Sequence, residues 1–299
     1  MSSVAPPRQP LTPETQARLQ GLLLEAREAV EGVLSGLHRS RHRGASIEFQ
    51  EHKEYSPGDE LRHIDWKANA RNDRLWVKQF EQETNLRALL LLDASASMGY
   101  GSHRATKLDR ACEIAATLAH LLLRQQDAVG LVAFQQQVTD YIPPRSSSGH
   151  LTVLLEKLAG LQAAGQTDLV QLLGRVAELA DRRGMVILLS DLFDLRPEVV
   201  QRLRQLRGRK HEVIVLQLLD PWELTFPFSE LTRFVDLEEP RTVQADPRGM
   251  RRAYLEELRS YLEGIRRACQ EADIDYLLAD TARSPGEVLT ELLARRQGR

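Results

Sequence analysis

Four consecutive leucines, Leu89 to Leu92, running into Asp93-Ala94-Ser95-Ala96-Ser97-Met98-Gly99, constrain this chain more than any other stretch. A short, continuous apolar run suits a strand buried on both faces, the environment of a parallel sheet covered by helices. The carboxylate and two hydroxyls that follow fall where such a strand leaves its sheet. Open α/β sheets place their ligand sites along that edge.

From Arg87 onward the pattern supports such a sheet. Apolar strands are expected at 88–93, 129–134, 185–189, 211–219, 233–237 and 274–278, with 137–141 as a hairpin partner at a sheet edge. Pro143-Pro144 and 146–149 read as a loop. Helices are expected between the strands; Leu108, Cys112, Ala115, Ala119 and Leu122 mark one buried stripe, and Leu169, Leu172, Leu173, Val176 and Leu179 another. Strands and helices alternating through short connections define an α/β fold with a doubly wound, mostly parallel sheet.

Ahead of this region the chain divides differently. Residues 1–11, with three prolines and nothing to pack, read as a disordered lead-in. Residues 12–85 read as an N-terminal helix plus a small β-rich appendage, and 86–299 as the α/β domain. Thr12-Pro13 is a helix start, and Leu19, Leu22, Leu23, Ala26, Val30 and Leu34 recur at helical spacing as far as about Gly36. His38, Arg39, Arg41, His42 and Arg43 form a basic run that reads as a solvated linker or an anion contact. Pro57-Gly58 sets a type II turn, 75–79 alternates as a strand, and Trp66 and Trp76 read as anchors of a satellite core.

Composition narrows the function classes. A net charge of −2 argues against a chain whose main task is coating nucleic acid, which leaves a strong basic excess. Local contacts through Arg39 to Arg43 or Arg202 to Lys210 are weighed as a third class and set aside, since helix faces are commonly basic. Cys112 and Cys269 form no C-x-x-C pair and read as buried thiols in a reducing compartment. No apolar run approaches the roughly 18 residues of a membrane span. The expectation is a cytoplasmic protein.

Three expected strand ends carry chemistry: Asp93 with Ser95 and Ser97, Thr167 beside Asp168, and Asp191 near Asp194. Carboxylate and hydroxyl oxygens without histidine or cysteine suit Mg²⁺ or Mn²⁺ rather than zinc. Two carboxylates only about neutralise a divalent ion, which leaves it able to take one more anionic ligand. The bland alternative is that Ser95, Ser97, Thr167 and Asp191 each cap a following helix. A metal-dependent phosphohydrolase using Asp93 is the enzyme alternative. Against it, Ser95 stands where a haloacid-dehalogenase-type site has its second carboxylate. No G-x-x-x-x-G-K-[ST] loop, dinucleotide fingerprint or hydrolase motif is present.

Asp93-x-Ser95-x-Ser97 with Thr167 and Asp191 resembles the metal-ion-dependent adhesion site of von Willebrand factor A-type domains. Tyr55-Ser56-Pro57-Gly58-Asp59-Glu60-Leu61-Arg62-His63-Ile64-Asp65-Trp66-Lys67, then Arg71 and Val77-Lys78-Gln79-Phe80-Glu81, resembles the signature of the bacterial family called domain of unknown function 58. Asp220-Pro221-Trp222-Glu223-Leu224 and Phe234-Val235-Asp236-Leu237-Glu238 are similar to further landmarks of that family. The resemblance implies a von Willebrand factor A-like fold that binds Mg²⁺, or alternatively Mn²⁺ or Ca²⁺. Ser95 and Ser97 would hold the ion directly, Asp93 and Asp191 mostly through water, and Thr167 either way. It also implies a binding protein rather than an enzyme, docking a partner's carboxylate and working with a MoxR-type AAA+ ATPase or its client.

Overall fold

The leucine run forms the middle of the sheet because nothing along it needs water. In the computed structural model, residues 12–41, 52–54, 76–78 and 86–297 are described, apart from 104, 181, 194 and 239–241. The Tyr55–Lys67 block, Trp66, Arg71, His42, Arg43 and Asp194 lie outside the described residues. The chain divides into two compact units, one of Met1–Leu34 with Leu86–Arg299, the other Ser35–Asn85. In the second unit, β1 (His52–Glu54) pairs antiparallel with β2 (Trp76–Lys78).

The first unit holds a six-stranded sheet with the order β10-β7-β6-β3-β4-β5. Its members are β3 (Arg87–Asp93), β4 (Ala128–Phe134), β5 (Val138–Arg145), β6 (Met185–Ser190), β7 (Glu212–Leu219) and β10 (Asp275–Asp280). All neighbours run parallel except β4 and β5. The chain leaves β3 toward β4 and β5, then returns to the other side of β3 as β6. The strand order therefore reverses between β3 and β6, and a crevice at such a switch point is where this architecture binds ligands.

Helices cover both faces. They are α2 (Lys107–Arg124), α3 (His150–Ala159), α4 (Leu169–Leu179), α5 (Pro197–Gly208), α7 (Pro247–Glu271) and α8 (Pro285–Gln297), with a one-turn α6 (Pro221–Thr225) after β7. Leu108, Cys112, Ala115, Ala119 and Leu122 of α2 are buried as the spacing predicts, as are Leu169, Leu172, Leu173 and Val176 of α4. Thr106 starts α2 with a reciprocal capping box to Asp109. Cys112 and Cys269 are free and buried, and burial pushes both thiols up to about 12.

Helix α1 spans Pro13–Arg41, running through Gly36 where the sequence reading ends it. An internal glycine costs a helix only about 1 kcal/mol. Leu22, Ala26, Val30 and Val33 are buried, and Arg18 bonds the Ala159 and Leu161 carbonyls and the Asp109 carboxylate. Through Leu34, α1 thus groups with the sheet.

Two strand readings differ from the structure. Strand β5 continues through Pro143-Pro144 to Arg145 rather than ending in a loop; as the edge strand, it has a side that needs no N–H donors. The 233–237 strand is β8 (Thr232–Val235), which pairs with β9 (Thr242–Ala245) in a separate hairpin and does not join the central sheet. Among the described residues, no helix is long and apolar enough to cross a membrane.

Candidate metal centre at the strand switch point

Parallel register sets the first contacts. Leu92 lies opposite Leu189, so the next residues, Asp93 and Ser190, emerge side by side. The Ser190 hydroxyl donates to Asp93 Oδ2 at 2.6 Å, and the Ser95 N–H donates to Asp93 Oδ1 at 2.9 Å. The Ser95 and Ser97 hydroxyls lie 3.1 Å apart, joined by a hydrogen bond. The loop before α4 runs beside this turn, with Ala96 N–H on the Gly165 carbonyl and Ala164 N–H on the Ala94 carbonyl. That loop carries Thr167, whose hydroxyl donates to Asp93 Oδ2 at 3.4 Å.

Asp191 completes the group from the end of β6. The next residue, Leu192, sits at φ +60°, a left-handed conformation costly for a branched side chain. Its N–H donates to the Ser190 hydroxyl at 3.0 Å, and its carbonyl accepts from the Tyr261 hydroxyl. The Asp191 carbonyl accepts from the Gln217 side chain at 2.8 Å, and Gln217 is held in turn by the Tyr276 hydroxyl at 2.7 Å. A tight turn is thereby pinned on several sides with Asp191 facing the crevice, where it lines the same cleft as Ser97 and Thr167.

Helix capping does not account for these hydroxyls. Ser95 precedes a short 3₁₀ turn, Ala96–Gly99, but its side chain makes no capping bond. The cap of α4 is Asp168, which accepts from the Gln171 N–H, so Thr167 is left for Asp93. Asp191 precedes no helix, since α5 begins at Pro197 after Arg196.

The electrostatics are dominated by buried negative charge. Asp93, Ser95, Ser190 and Asp191 are all buried. Burial, reinforced by the Asp191 carboxylate, pushes the Asp93 carboxyl up to about 6 against the bonds from Ser190 and Ser95. Lys107 supplies one positive charge, with Nζ 2.9 Å from Asp191 Oδ2 and 2.7 Å from Glu223 Oε1. Burial works against that ammonium, but Asp191 and Glu223 outweigh it and hold its pKa above the ordinary lysine value. Burial outweighs the lysine at Glu223, whose carboxyl is raised. One ammonium among Asp93, Asp191 and Glu223 leaves a negative excess.

That excess, with hydroxyl and carboxylate oxygens converging, fits a small hard cation. Among the described residues no three His, Cys, Asp or Glu side chains gather as a metal-binding group, so an ion here would depend on Ser95, Ser97 and Thr167. Ser190, Lys107 and Glu223 escaped the sequence reading. Ser190 had a signal in its place beside Asp191 and Glu223 in its place within the Asp220–Leu224 landmark, whereas Lys107 comes from a segment with no local mark of a site.

The crevice opens into a cleft of about 580 Å³. Ser97, Thr167 and Asp191 line one side, and Phe193, Trp222, Phe226, Phe228, Phe234 and Tyr254 much of the rest. Phe226 is central to the aromatic wall, with ring centroids 4.5 Å from Tyr254, 5.1 Å from Phe228 and 5.7 Å from Phe234.

Fold and site define an α/β protein with a mostly parallel sheet and an acidic crevice at its strand switch point. Residues 51–262 match the family described as protein of unknown function DUF58. The chain belongs to that family. Uncharacterized protein Rv1480 of Mycobacterium tuberculosis is 29% identical over 220 residues, which cover 72% of this chain and 68% of the relative. Uncharacterized protein YeaD of Bacillus subtilis is 25% identical over 107 residues, 36% of this chain and 25% of that one. Among solved structures, the conserved hypothetical protein BatB from Bacteroides thetaiotaomicron aligns with a TM-score of 0.46 at 14% identity, covering 72% of this chain and all of that one.

Proposed function

We propose that Asp93, Ser95, Ser97, Thr167 and Asp191 form an adhesion-type Mg²⁺ site, with Mn²⁺ or Ca²⁺ as alternative ions, on a von Willebrand factor A-like domain, and that this site docks an acidic residue of a partner protein. The observation that carries the reading is the cluster around the buried Asp93 carboxylate, which accepts from the Ser95 N–H and the Thr167 hydroxyl, with the Ser95 and Ser97 hydroxyls bonded to each other alongside and none of the three capping a helix. Bound there, the ion supplies a Lewis-acidic point for one external carboxylate. Ser95 and Ser97 offer neutral oxygens, Thr167 orients on Asp93, and Asp191 is already engaged by Lys107, which suits it to a role through water. Nothing in this chemistry requires turnover. The family resemblance adds a setting, namely work beside a MoxR-type AAA+ ATPase or its client in the cytoplasm, in remodelling or assembling other proteins.

Binding to the folded state alone stabilises it, by about 2.7 kcal/mol at a hundredfold excess over Kd. Mg²⁺ is therefore expected to raise the thermal unfolding midpoint by several degrees, and the double variant Asp93→Ala, Ser95→Ala to lose that rise. No divalent-ion binding by calorimetry at millimolar concentration, with or without an acidic partner, defeats the metal site. Phosphatase turnover that vanishes in Asp93→Asn would replace docking with hydrolysis.

A further inference from the structure

The tip of the β8–β9 hairpin lies at the crevice. Asp236, Leu237 and Glu238 line the cleft together with Ser97, Thr167 and Asp191. The Asp236 carboxylate accepts from the Glu238 N–H at 2.9 Å, a tight turn of the kind aspartate favours. Leu237 remains half exposed, whereas Glu238 is turned inward and partly buried. Its carboxylate lies in the cleft beside the Ser97 hydroxyl and backbone N–H, which act to lower its pKa. Burial, followed by the Asp191 and Asp236 carboxylates, outweighs them and raises it. A carboxylate of this chain thus already lines the cleft beside a hydroxyl that the proposed site would use.

The surroundings are unusual too. Phe193, Trp222 and Leu237, which line the cleft, are large apolar side chains left exposed. Exposed apolar groups gathered around a polar centre mark interaction surfaces.

We infer that the crevice recognises a short acidic segment with a large apolar neighbour, and that Asp236-Leu237-Glu238 is this chain's own copy of that ligand, seated until a partner's segment displaces it. The inference rests on the carboxylate-docking reading above and adds the partner's chemistry and a built-in competitor. Glu238 occupies the carboxylate position, and the partner's apolar side chain faces the wall formed by Trp222, Phe226 and Phe228. A tip seated nine-tenths of the time weakens an outside ligand about tenfold.

The test uses a fluorescent peptide copying residues 232–238, titrated by anisotropy in Mg²⁺ against the wild type, Glu238→Gln and Glu238→Ala. The second variant covers an amide that keeps a bond to Ser97. The expected result is binding to at least one variant about tenfold tighter than to the wild type, lost when the peptide's own last residue is changed to Gln. Equal affinity for all three proteins, binding that ignores the Gln change, or no binding to either variant overturns the inference. The Mg²⁺ shift in unfolding midpoint, measured on the same proteins, separates the two readings. A shift with no peptide discrimination removes the resident tip and leaves the ion site, whereas discrimination without a shift leaves the acidic-segment receptor and removes the ion.

Discussion

Lys107 carries its charge at 1% side-chain exposure between two carboxylates, with the Phe193 ring 4.9 Å from its ammonium. Removing one partner of a buried ion pair leaves the other charge uncompensated, at a cost of about 3–5 kcal/mol. Lys107→Met is expected to lower stability to urea by that amount. Adding Glu223→Gln should return part of the loss, because one of the two stranded charges is then neutral. A Lys107→Met protein as stable as the wild type would mean that Asp191 and Glu223 are paired otherwise. Asp93 shows how little of this is legible locally. Its type and place after four leucines mark a strand end, but its raised carboxyl comes from burial in the folded sheet and then from Asp191, 98 positions later in the chain.

Among the elements, β5 and α1 show what pattern reading misses. Pro143 and Pro144 look like a loop because proline removes ladder donors, yet an edge strand tolerates them. Gly130 in β4 makes room: a Cβ there would lie 2.7 Å from the Ile142 carbonyl oxygen and 2.9 Å from the Pro144 ring. Gly130→Ala should therefore cost about 1–3 kcal/mol, the usual range for overpacking, measured by chemical denaturation. The docking of α1 is expected to depend on pH. Burial pushes the Glu113 carboxyl of α2 up to about 7, opposed by Arg110 and reinforced by Glu25 of α1. The folded pKa is above the unfolded value near 4.5, so this group's contribution is present at low pH and lost as pH rises through about 7. Glu25→Gln removes the repulsion while keeping a hydrogen-bonding group. Its unfolding free energy is expected to match the wild type near pH 5 and exceed it at pH 8, by roughly 0.5–1 kcal/mol given the exposure of Glu25. A constant difference across that range would assign no part of the pH response to this contact.

At the scale of the molecule, order is expected to decline from the centre of the sheet outward. Strands β3 and β6 are buried along almost their whole length and each has two sheet neighbours. The β8–β9 hairpin stands apart from that sheet and exposes Val235 and Val243. Hydrogen exchange followed by mass spectrometry should find β3 and β6 exchanging only through global unfolding and the hairpin exchanging through local opening. Protection of the hairpin equal to that of β3 would contradict this ordering. The residue sequence alone determined that there is a buried central strand, that strands and helices alternate around a mostly parallel sheet, and that Asp93, Ser95, Ser97 and Asp191 lie at strand ends; Thr167, expected at a strand end too, lies instead in the loop between helices α3 and α4. These are local properties, because periodicity and the polarity of the next residue are set by neighbours a few positions away. Only the tertiary structure decided that the five residues meet, that Ser190, Lys107 and Glu223 join them, and that Glu238 lines the same cleft as Ser97. Those contacts depend on strand order and register, which bring together segments separated by tens to more than a hundred residues and leave no mark on any one of them.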